Sequence, residues 1–347
     1  MPPLITVNKA PAAATTPSTF QSQSSFSQKL LNFSFTLASG SAGNQPSTFS
    51  GTNNSNSVSI AGHRARCRIT NAGAPAGSTA EISIYGMSQS LMNQLATLGI
   101  AVDSISKNSV IVSAGTGQAG GSASAASAAS SPASGFPVVF GGTIFFAYGD
   151  YGDMPNVPFK MIAQGGLFNA VQSVAPSSFT GPTSVATIMQ KFASQLGVTF
   201  ENNGVTAQLS NPYYPGTILQ QIYQIAEHAN VHAQLVDGGT KLAIWPIGGS
   251  RTSQTNIPLI SMDSGMIAAP TFANYGWMVV KMVYNPDVVF YGNIQVQSED
   301  VPQANNTWTV YKLDLALDTL LPDGDWMATA LCYPKGVNAP APPTVSS

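Results

Sequence analysis

Hydrophobic and polar positions follow a helical period and then a strand period within residues 215–245. The segment Pro215-Gly216-Thr217 predicts the start of a helix, because proline presets φ before the first turn. The apolar residues behind it have the spacing of one buried helical face: Ile218, Leu219, Ile222, Tyr223, Ile225, Ala226 and Ala229. Near Asn230 the period changes to two, and the turn Asp237-Gly238-Gly239 then leads into a partner strand at 242–245. The pattern therefore predicts a helix followed by a β-hairpin.

A second amphipathic helix is predicted just upstream of this unit. Its buried face consists of Val185, Ile188, Met189, Phe192 and Leu196. The segment Thr183-Ser184 supplies hydroxyl side chains that can cap the first turn of this helix. Two helices and a hairpin can bury their apolar faces against each other, so we predict an α/β middle domain at 179–249.

Strand patterns dominate the chain before this domain. Strands are predicted at 33–37, 58–69, 80–85, 110–113, 136–148 and 157–174, with a short helix from Met87 to Leu98 that Gly99 closes. They define a first β domain at 28–178, and a flexible arm at 1–27, rich in Pro, Ala, Ser, Thr and Gln, precedes it. Within this domain, the composition of residues 114–135 (AGTGQAGGSASAASAASSPASG) predicts a low-complexity loop.

Strand patterns return after Gly248-Gly249. They lie at 276–284, 288–297, 308–317 and 326–333. All 4 tryptophans lie from Trp245 onward, which favours a second compact β domain at 250–336, followed by an extended Pro-rich tail at 337–347. The predicted fold class is therefore α+β, mostly β.

Composition changes this picture in one respect. Only 8% of the residues are charged, against about 25% in typical globular proteins. So few charges leave little to keep copies of the chain apart, which favours burial in an assembly. A soluble protein with a neutral polar surface is the alternative.

The few charges are unevenly distributed. Residues 1–80 carry five basic and no acidic side chains, whereas the rest of the chain carries eight basic and fifteen acidic ones. This distribution excludes a broad basic surface for nucleic acid. Arg64, Arg66 and Arg68, which we call the arginine stripe, share one face of a predicted strand. The opposite face carries Ala65, Cys67 and Ile69. We interpret the stripe either as a solvated strand face or as a contact with an acidic neighbour subunit or with phosphates.

Cysteine usage and the start of the chain bear on its location. Cys67 and Cys332 are the only cysteines and do not indicate a disulfide framework. The first residues lack the basic and apolar regions of a signal peptide, and no apolar run reaches the roughly 18 residues of a membrane span. We therefore expect a chain that is made and kept in a cytoplasm, without a membrane partner.

Two motifs match ligand sites only in part. Residues 115–120 read GTGQAG, as in a dinucleotide fingerprint, but neither an amphipathic helix nor an acidic residue follows at the required distance. His228 and His232 have the spacing of zinc ligands on a helix, but the glutamate of the metallopeptidase motif is missing. The helix is also expected to end near Asn230, which moves His232 onto the strand. Packing or capping histidines are the favoured interpretation.

Four acidic residues cluster near the C-terminus: Asp314, Asp318, Asp323 and Asp325. The alternation around them favours a strand followed by a turn with solvated acids, and paired glycosidase carboxylates are the alternative. No Gly-x-Ser-x-Gly nucleophile motif occurs. We therefore predict no catalytic, cofactor-binding or metal-binding residue, and no enzyme activity.

Three stretches carry a family resemblance. They are 80–86 (AEISIYG) with the helix that follows, the strand pair 139–147 and 159–171 with Phe140-Gly141-Gly142-Thr143-Ile144, and 214–246 (YPGTILQQIYQIAEHANVHAQLVDGGTKLAIWP). In this order, over about residues 28–335, the chain resembles the baseplate hub proteins of long-tailed bacteriophages. The loop at 114–135 and the arm at 1–27 depart from that pattern.

The resemblance implies two β-barrel-like tube domains that alternate around a homotrimeric ring. Such a ring joins the tail tube to the central spike, and DNA passes through its lumen without specific binding. The implied partners are the tail tube protein, the central spike protein, other baseplate proteins and the tape measure protein. The implied location is the virion, after assembly in the host cytoplasm. A cell-wall glycan hydrolase or a host-glycan binding module of a phage tail is the alternative function.

Two further expectations follow from charge. The 250–347 segment carries four basic and eight acidic side chains, so we expect it to give the DNA passage a neutral or acidic wall that phosphates do not adhere to. With so few charges, subunits should associate through apolar area and strand edges rather than through ion pairs.

Overall fold

The structure is a computed structural model that describes most of the chain between its two ends. The described residues are 28–37, 48–49, 55–72, 77–97, 108–117, 135–152, 154–166, 174–237, 239–251, 256–273 and 276–337. The predictions for the arm at 1–27, for Gly99 and for loop residues 118–134 and tail residues 338–347 lie outside them. Among the helices that are described, none is long and apolar enough to cross a membrane.

Strands make up most of the described structure. They are β1 (Gln28–Thr36), β2 (Ser57–Ala61), β3 (Ala65–Asn71), β4 (Ser78–Tyr85), β5 (Ser109–Gly117), β6 (Val138–Gly149), β7 (Pro158–Gln164), β8 (Ser177–Ser178), β9 (Pro182–Ser184), β10 (Thr199–Asn202), β11 (Gln208–Ser210), β12 (Tyr213–Tyr214), β13 (Val231–Val236), β14 (Lys241–Pro246), β15 (Leu259–Ile260), β16 (Met266–Phe272), β17 (Met278–Val283), β18 (Asn293–Val296), β19 (Thr307–Thr319) and β20 (Trp326–Pro334). The α-helices are α1 (Gln89–Leu95), α2 (Val185–Leu196) and α3 (Ile218–His228). The predicted class, α+β and mostly β, is confirmed.

One 13-stranded sheet runs through both regions that were predicted as β domains. Its strand order is β16-β17-β20-β19-β3-β4-β7-β6-β5-β1-β2, and β18 pairs with β19 and with β15. The two regions meet where β3 pairs antiparallel with β19, with Cys67 opposite Leu317. Within the described residues the strand path is open, from β2 to β16, so barrel-like domains are not confirmed. The domain boundaries stay a prediction.

The apolar faces of this sheet form one core, which draws on both regions. Alternation on β3 is as predicted, because Ala65, Cys67 and Ile69 are all buried. Their neighbours in the same core include Phe33 and Phe35 of β1, Leu317 of β19 and Cys332 of β20. We call this sheet, with its core and α1, the β body.

A tight backbone contact explains the second glycine in Phe140-Gly141-Gly142. A Cβ added at Gly142 would lie 2.7 Å from the backbone oxygen of Gln164 on the neighbouring strand β7. Only glycine allows two strands to approach so closely at this position.

The predicted helix and hairpin are confirmed in a second unit. Helices α2 and α3 pack beside a three-stranded sheet of order β10-β14-β13, and we call these five elements the middle unit. Helix α3 begins after Thr217, which forms a capping box with Gln220. Ser184 is the N-cap residue of α2 but its side chain makes no capping hydrogen bond, so the predicted hydroxyl cap is wrong in that respect.

The remaining differences lie in strand boundaries. The predicted strand at 58–69 is two strands, β2 and β3, because the chain turns at Gly62 with φ 71°. The loop predicted from residue 114 starts too early, because residues 114–117 extend β5 and pair with β1. The strands predicted at 157–174 and 288–297 shorten to β7 and β18.

Several strands were not predicted: the short strands β8, β9, β10, β11 and β12 around the helices of the middle unit, and β15 and β16 in the β body. Strand β15 is only two residues long, and β16 contains Pro270 and two register shifts against β17. These irregularities remove the regular alternation by which a strand is recognised in a sequence.

Candidate functional site: two ionic clusters and the junction of the middle unit

The arginine stripe and the C-terminal acids meet inside the sheet. Antiparallel pairing of β3 with β19 places Arg66 opposite Asp318. Arg68 donates to both carboxylate oxygens of Asp318, through Nη1 to Oδ1 and through Nη2 to Oδ2 at 3.1 Å. Its Nη2 also donates to Oδ2 of Asp325 at 2.9 Å. We call these groups the Arg68 cluster.

Burial is uneven across the Arg68 cluster. The side chain of Asp318 is only 2% exposed, whereas that of Arg68 is 34% exposed. The hydrogen bond to Asp318 is the largest cause that raises the pKa of Arg68. The backbone N–H of Asp325 also donates to Oδ2 of Asp318, so the buried carboxylate has donors both on β3 and in the turn before β20.

The other two arginines of the stripe have different contacts. Nε of Arg66 lies 3.6 Å from Oδ2 of Asp318, and this side chain is 57% exposed. The guanidinium of Arg64 lies 4.0 Å from the ring centroid of Tyr85. Arg66 and Arg68 therefore both have an acidic partner within the same chain.

The other two predicted acids lie on a strand and in a turn, as the sequence pattern indicated. Asp314 on β19 accepts a hydrogen bond from Oγ1 of Thr70 at 2.9 Å and pairs with Lys312 at 2.8 Å. Asp323 has a φ of 54°, in the turn that precedes β20. Asp314 and Asp318 thus each have hydrogen-bonded partners of their own.

The two histidines are separated by the end of α3. His228 is the last helical residue, and its Nδ1 lies 2.9 Å from the hydroxyl of Tyr214. His232 lies on β13, as predicted, and burial lowers its pKa. Within the part of the chain that the structure describes, no group of three or more His, Cys, Asp or Glu could hold a metal ion.

The first residues of the GTGQAG motif are strand residues. Gly115, Thr116 and Gly117 belong to β5 and pair with β1, whereas a dinucleotide site needs a turn into a helix there. The rest of the motif lies outside the described residues.

Both cysteines are free and buried within the β body. Burial raises the pKa of Cys67 to about 12, and it raises the pKa of Cys332 as well. A thiol that stays protonated and buried is a poor nucleophile and a poor metal ligand.

A second ionic cluster, built around Arg251, was not predicted. Arg251 donates from Nε and Nη2 to the two carboxylate oxygens of Glu201, at 2.9 and 2.8 Å. It also donates from Nη1 and Nη2 to the two oxygens of Asp237, at 2.8 and 2.9 Å. Lys241 adds a contact of 3.0 Å to Asp237. We call this set the Arg251 cluster.

The Arg251 side chain is almost fully buried, with 3% exposed. Burial is the largest single influence and would lower its pKa, but the hydrogen bonds that Arg251 donates to Glu201 and Asp237, together with the charges of these two acids, outweigh burial and raise it. Likewise, burial is the largest single influence on Asp237 and would raise its pKa, but the hydrogen bonds and charges of Arg251 and Lys241 together outweigh burial and lower that pKa. Each charge therefore depends on its partners in this site.

The Arg251 cluster connects the middle unit to the β body. Glu201 lies on β10 and Asp237 follows β13, whereas the backbone N–H of Arg251 donates to the carbonyl of Tyr291 at 2.9 Å. Beside it, Asn293 of β18 donates through Nδ2 to the hydroxyl of Ser250 at 2.8 Å. Residues 250 and 251 thus hold strands of both units together.

Aromatic rings cover the same junction. The rings of Trp245 and Tyr291 lie 4.6 Å apart between centroids. His232 lies beside both rings, at 5.7 Å from Trp245 and 5.6 Å from Tyr291. These rings belong to a small core that also contains Val236, Ala243, Trp277, Phe290 and Tyr333.

A cleft lies next to this small core, and we call it the junction cleft. Residues from the middle unit and from both regions of the β body line it: Asn71, Ser78, Pro137, Val138, Val139, Leu235, Val236, Asp237, Tyr284, Pro286, Val288, Val289, Phe290, Leu313 and Leu315. The two units are therefore packed less completely here than within their own cores.

The outer strands carry exposed apolar side chains. On the terminal strand β16, Ile267 and Phe272 are about half exposed. At the turn between β6 and β7, Met154 is 72% exposed and Tyr148 and Tyr151 are also exposed. Exposed apolar groups at sheet ends and turns are candidate contact surfaces in an assembly.

No sequence signal pointed to Arg251. It is a single arginine, with partners 50 and 14 residues earlier in the chain. Only the folded arrangement of β10, β13 and the segment after β14 reveals the cluster.

The fold is shared with tail proteins of solved structure. It is similar to the 43 kDa tail protein of prophage MuSo2 from Shewanella oneidensis, at 9% identity over 89% of this chain and 98% of that chain, with a TM-score of 0.53. It is also similar to the tail protein from Neisseria meningitidis MC58, at 9% identity over 88% of this chain and 97% of that chain, with a TM-score of 0.55. At such identity these likenesses define the class, which is the fold of a phage tail protein. No curated protein sequence matches the chain.

The family is shown by the sequence itself. The family described as baseplate hub gp41 matches residues 48–320, which include most of the β body and the whole middle unit. The chain belongs to the baseplate hub gp41 family, and the resemblance to baseplate hub proteins is confirmed. The protein is therefore a structural component of a phage tail or baseplate in the virion, and it associates with other tail components.

Proposed function

We propose that the chain forms a homotrimeric hub ring, which joins the tail tube to the central spike and lets DNA pass during ejection. The observation that carries this proposal is the baseplate hub match over residues 48–320. The barrel-like character of the two β regions and the alternation of these regions around a ring belong to the proposal.

The β body supports a ring whose subunits meet through strands. Its strand path has two ends, β2 in the first region and β16 in the second, and terminal strands offer backbone groups for pairing. Because the ends differ, a contact between them is head-to-tail, and head-to-tail contacts generate rings when the rotation closes.

The distribution of charges supports association through apolar area. Both carboxylates of the Arg68 cluster and both of the Arg251 cluster already pair within the subunit. With 8% of residues charged, few ionic groups are left for contacts between subunits. Apolar burial, at about 25 cal/mol per Å², is then the main source of affinity.

The proposed DNA passage needs a wall that phosphates do not adhere to. The 250–347 segment has twice as many acidic as basic side chains, eight against four, and we propose that it faces the lumen. In this proposal the chain has no catalytic role, and cell-wall lysis is the task of another protein.

Sedimentation velocity at low and at molar sodium chloride tests the ring. We expect a trimer in both, since salt screens charges and leaves apolar burial intact. A monomer under all conditions would overturn the trimer, and dissociation in high salt would overturn its apolar basis.

Two further experiments test location and chemistry. Electron microscopy of particles with a labelled chain should place the label between the tail tube and the spike. Zymography of the purified chain on peptidoglycan should show no clearing, and clearing would overturn the non-enzymatic part of the proposal.

A further inference from the structure

The middle unit and the β body have separate hydrophobic cores. The core of the middle unit is formed by residues of 185–244, among them Phe192, Ile222 and Leu242. The core of the β body has members before 164 and after 259, such as Phe35 and Trp326. The two cores share no residue among those described, and the small core at the junction draws on both units.

The contacts between the two units include the Arg251 cluster, the hydrogen bond from Asn293 to Ser250, and a hydrogen bond of 2.8 Å from Nε2 of Gln234 to the carbonyl of Ala72. The apolar part is the small junction core, which is smaller than the core of either unit and in which Trp245 packs against Tyr291. The junction cleft lies beside them. A junction of this kind has less apolar area to resist separation than a continuous core has.

We propose that the Arg251 cluster is a latch that holds the middle unit on the β body, and that the middle unit can be released as a folded body while the 13-stranded sheet stays intact. Such a device would let the hub alter the orientation of one unit without unfolding either. The inference concerns the single chain and does not depend on the proposed ring.

The physical basis is an asymmetry between the latched and the released state. In the latched state the guanidinium of Arg251 is buried and depends on Glu201 and Asp237 for compensation. In the released state water can solvate all three charged groups. Breaking the buried pair from one side leaves uncompensated charge in the latched state only, so the equilibrium shifts toward release.

Substitution of Arg251 therefore separates a latch from ordinary packing. Arg251→Met keeps an apolar stem but removes the guanidinium from Glu201 and leaves Asp237 with only the more exposed Lys241 as its cation. The triple variant R251M/E201Q/D237N removes the stranded charges as well, and replacing a whole buried ionic group by neutral side chains is often tolerated. Lys241→Met is the matched control, because Lys241 contacts the same Asp237 from a more exposed position.

Hydroxyl-radical footprinting of the full chain, read by mass spectrometry, gives three sets of reporters. Trp245 and Tyr291 report on the junction, Phe192 on the core of the middle unit, and Trp326 on the β body, and all four are buried. We expect Arg251→Met to increase labelling of the junction pair by about tenfold, toward the level of exposed side chains. Phe192 and Trp326 should stay as in the unchanged protein.

The control variants show whether the loss of protection at the junction comes from uncompensated charge or from altered packing. The triple variant should return the labelling of Trp245 to within about threefold of the unchanged protein, and Lys241→Met should leave it unaffected. Failure of the triple variant to restore protection would overturn the latch, because the loss would then come from packing.

Two other outcomes would also overturn it. Labelling of Phe192 or Trp326 together with Trp245 in Arg251→Met would mean that the units unfold as one. No change at Trp245 would mean that the cluster does not hold the junction.

If Arg251→Met does not fold, Arg251→Lys serves instead, because lysine keeps the charge but cannot bond both carboxylates in fork geometry. Arg251→Lys should also increase the labelling of Trp245 and Tyr291 alone, but by a smaller factor. Increased labelling of all four reporter residues would contradict the proposal.

Discussion

Two arginines in this protein are each held between two carboxylates, and they differ in where they lie. Arg68 lies within the sheet, where β3 and β19 are already joined by a ladder of seven residue pairs from Ala65 to Asn71. Arg251 lies between two units with separate cores. An arginine paired with two carboxylates therefore strengthens an existing strand pairing at Arg68, whereas at Arg251 it determines how the two units are held together.

Exposure sharpens this difference. The Arg68 side chain is in partial contact with water, so loss of a partner can be compensated by solvation. Arg251 has almost no contact with water, so both of its carboxylate partners are needed to compensate its buried charge. The buried Arg251 thus fixes how the middle unit is oriented on the β body. The partly exposed Arg68 mainly stabilises the sheet in which it lies.

The largest effect within the β body is expected from Asp318→Ala. This change removes the buried acceptor of Arg68 and of the Asp325 backbone N–H. We expect a loss of about 2–3 kcal/mol in the free energy of unfolding, as for buried hydrogen bonds to charged groups. Differential scanning calorimetry should show the loss in the transition of the β body.

Asp325→Ala is the matched control for Asp318→Ala. Asp325 contacts the same guanidinium, but its side chain is largely exposed, so the expected loss is about 0–1 kcal/mol. An equal loss in both variants would contradict the view that burial decides the contribution of each carboxylate.

The Arg68 cluster also marks how far sequence reasoning reaches. Alternation identified the stripe on β3, and composition identified the acids near the C-terminus, but the two are 250 residues apart. Which strands pair over such a distance depends on the whole topology, and a single sequence carries no local sign of it. The stripe was therefore open to an interpretation as a subunit contact.

Local patterns were predicted far better than long-range ones. Helix α3 and the β13–β14 hairpin were predicted because a cap, a period of 3.6, a period of 2 and a turn follow each other within 31 residues, 215–245. Arg251 could not be predicted, since its partners on β10 and after β13 come together only in the fold. The continuous sheet was missed for the same reason, because the β3–β19 pairing joins regions that look like separate domains.

The pH dependence of the junction should follow Asp237. Burial would raise the pKa of Asp237, but the hydrogen bonds and charges of Arg251 and Lys241 together outweigh burial and lower this pKa in the folded protein. A group whose folded pKa lies below its unfolded value of about 3.9 contributes stability above that value, and the contribution disappears as pH falls through the folded pKa. We therefore expect the Asp237 contribution to the protection of Trp245 to be constant from pH 8 down to about pH 5 and to be lost below about pH 4. Burial lowers the pKa of His232, so this histidine separately decreases the protection as pH falls below its unfolded value of about 6.5.

Asp237→Asn isolates this contribution. The difference in Trp245 labelling between the unchanged protein and this variant should be largest near neutral pH and should shrink in acid. A difference that stays constant down to pH 2 would contradict the assignment of the titration to Asp237.

A smaller effect is expected from Thr217→Ala in the middle unit. Thr217 accepts a hydrogen bond from the Gln220 backbone N–H, and the Gln220 side chain bonds back to Thr217. Loss of this capping box should cost about 1 kcal/mol. Because the unit has its own core, labelling of Phe192 should respond to mild denaturant at lower concentration while that of Trp326 does not.

Ser184→Ala provides the control at the other helix. Ser184 is also an N-cap residue, but its side chain makes no capping bond. We expect a change within about 0.5 kcal/mol, as for substitutions away from such features. A loss as large as that of Thr217→Ala would mean that the cap hydrogen bond is not the source of the effect.

The smallest effect is expected from Arg66→Gln. Arg66 and Arg68 both approach Asp318, but Arg68 makes two hydrogen bonds to this carboxylate, whereas Nε of Arg66 lies 3.6 Å from it on a mostly exposed side chain. At such exposure water screens the pair and the long side chain loses rotamer freedom when it is held, so we expect a loss of about 0–1 kcal/mol in the free energy of unfolding. A double-mutant cycle with Asp318→Ala, followed by urea denaturation at low and at molar salt, measures the coupling directly. The coupling should be below about 1 kcal/mol and should vanish in molar salt, because screening acts on exposed charges. A coupling of several kcal/mol that survives high salt would show that Arg66 shares in compensating the buried carboxylate, and the contrast between a half-exposed and a fully buried arginine would then lose its basis.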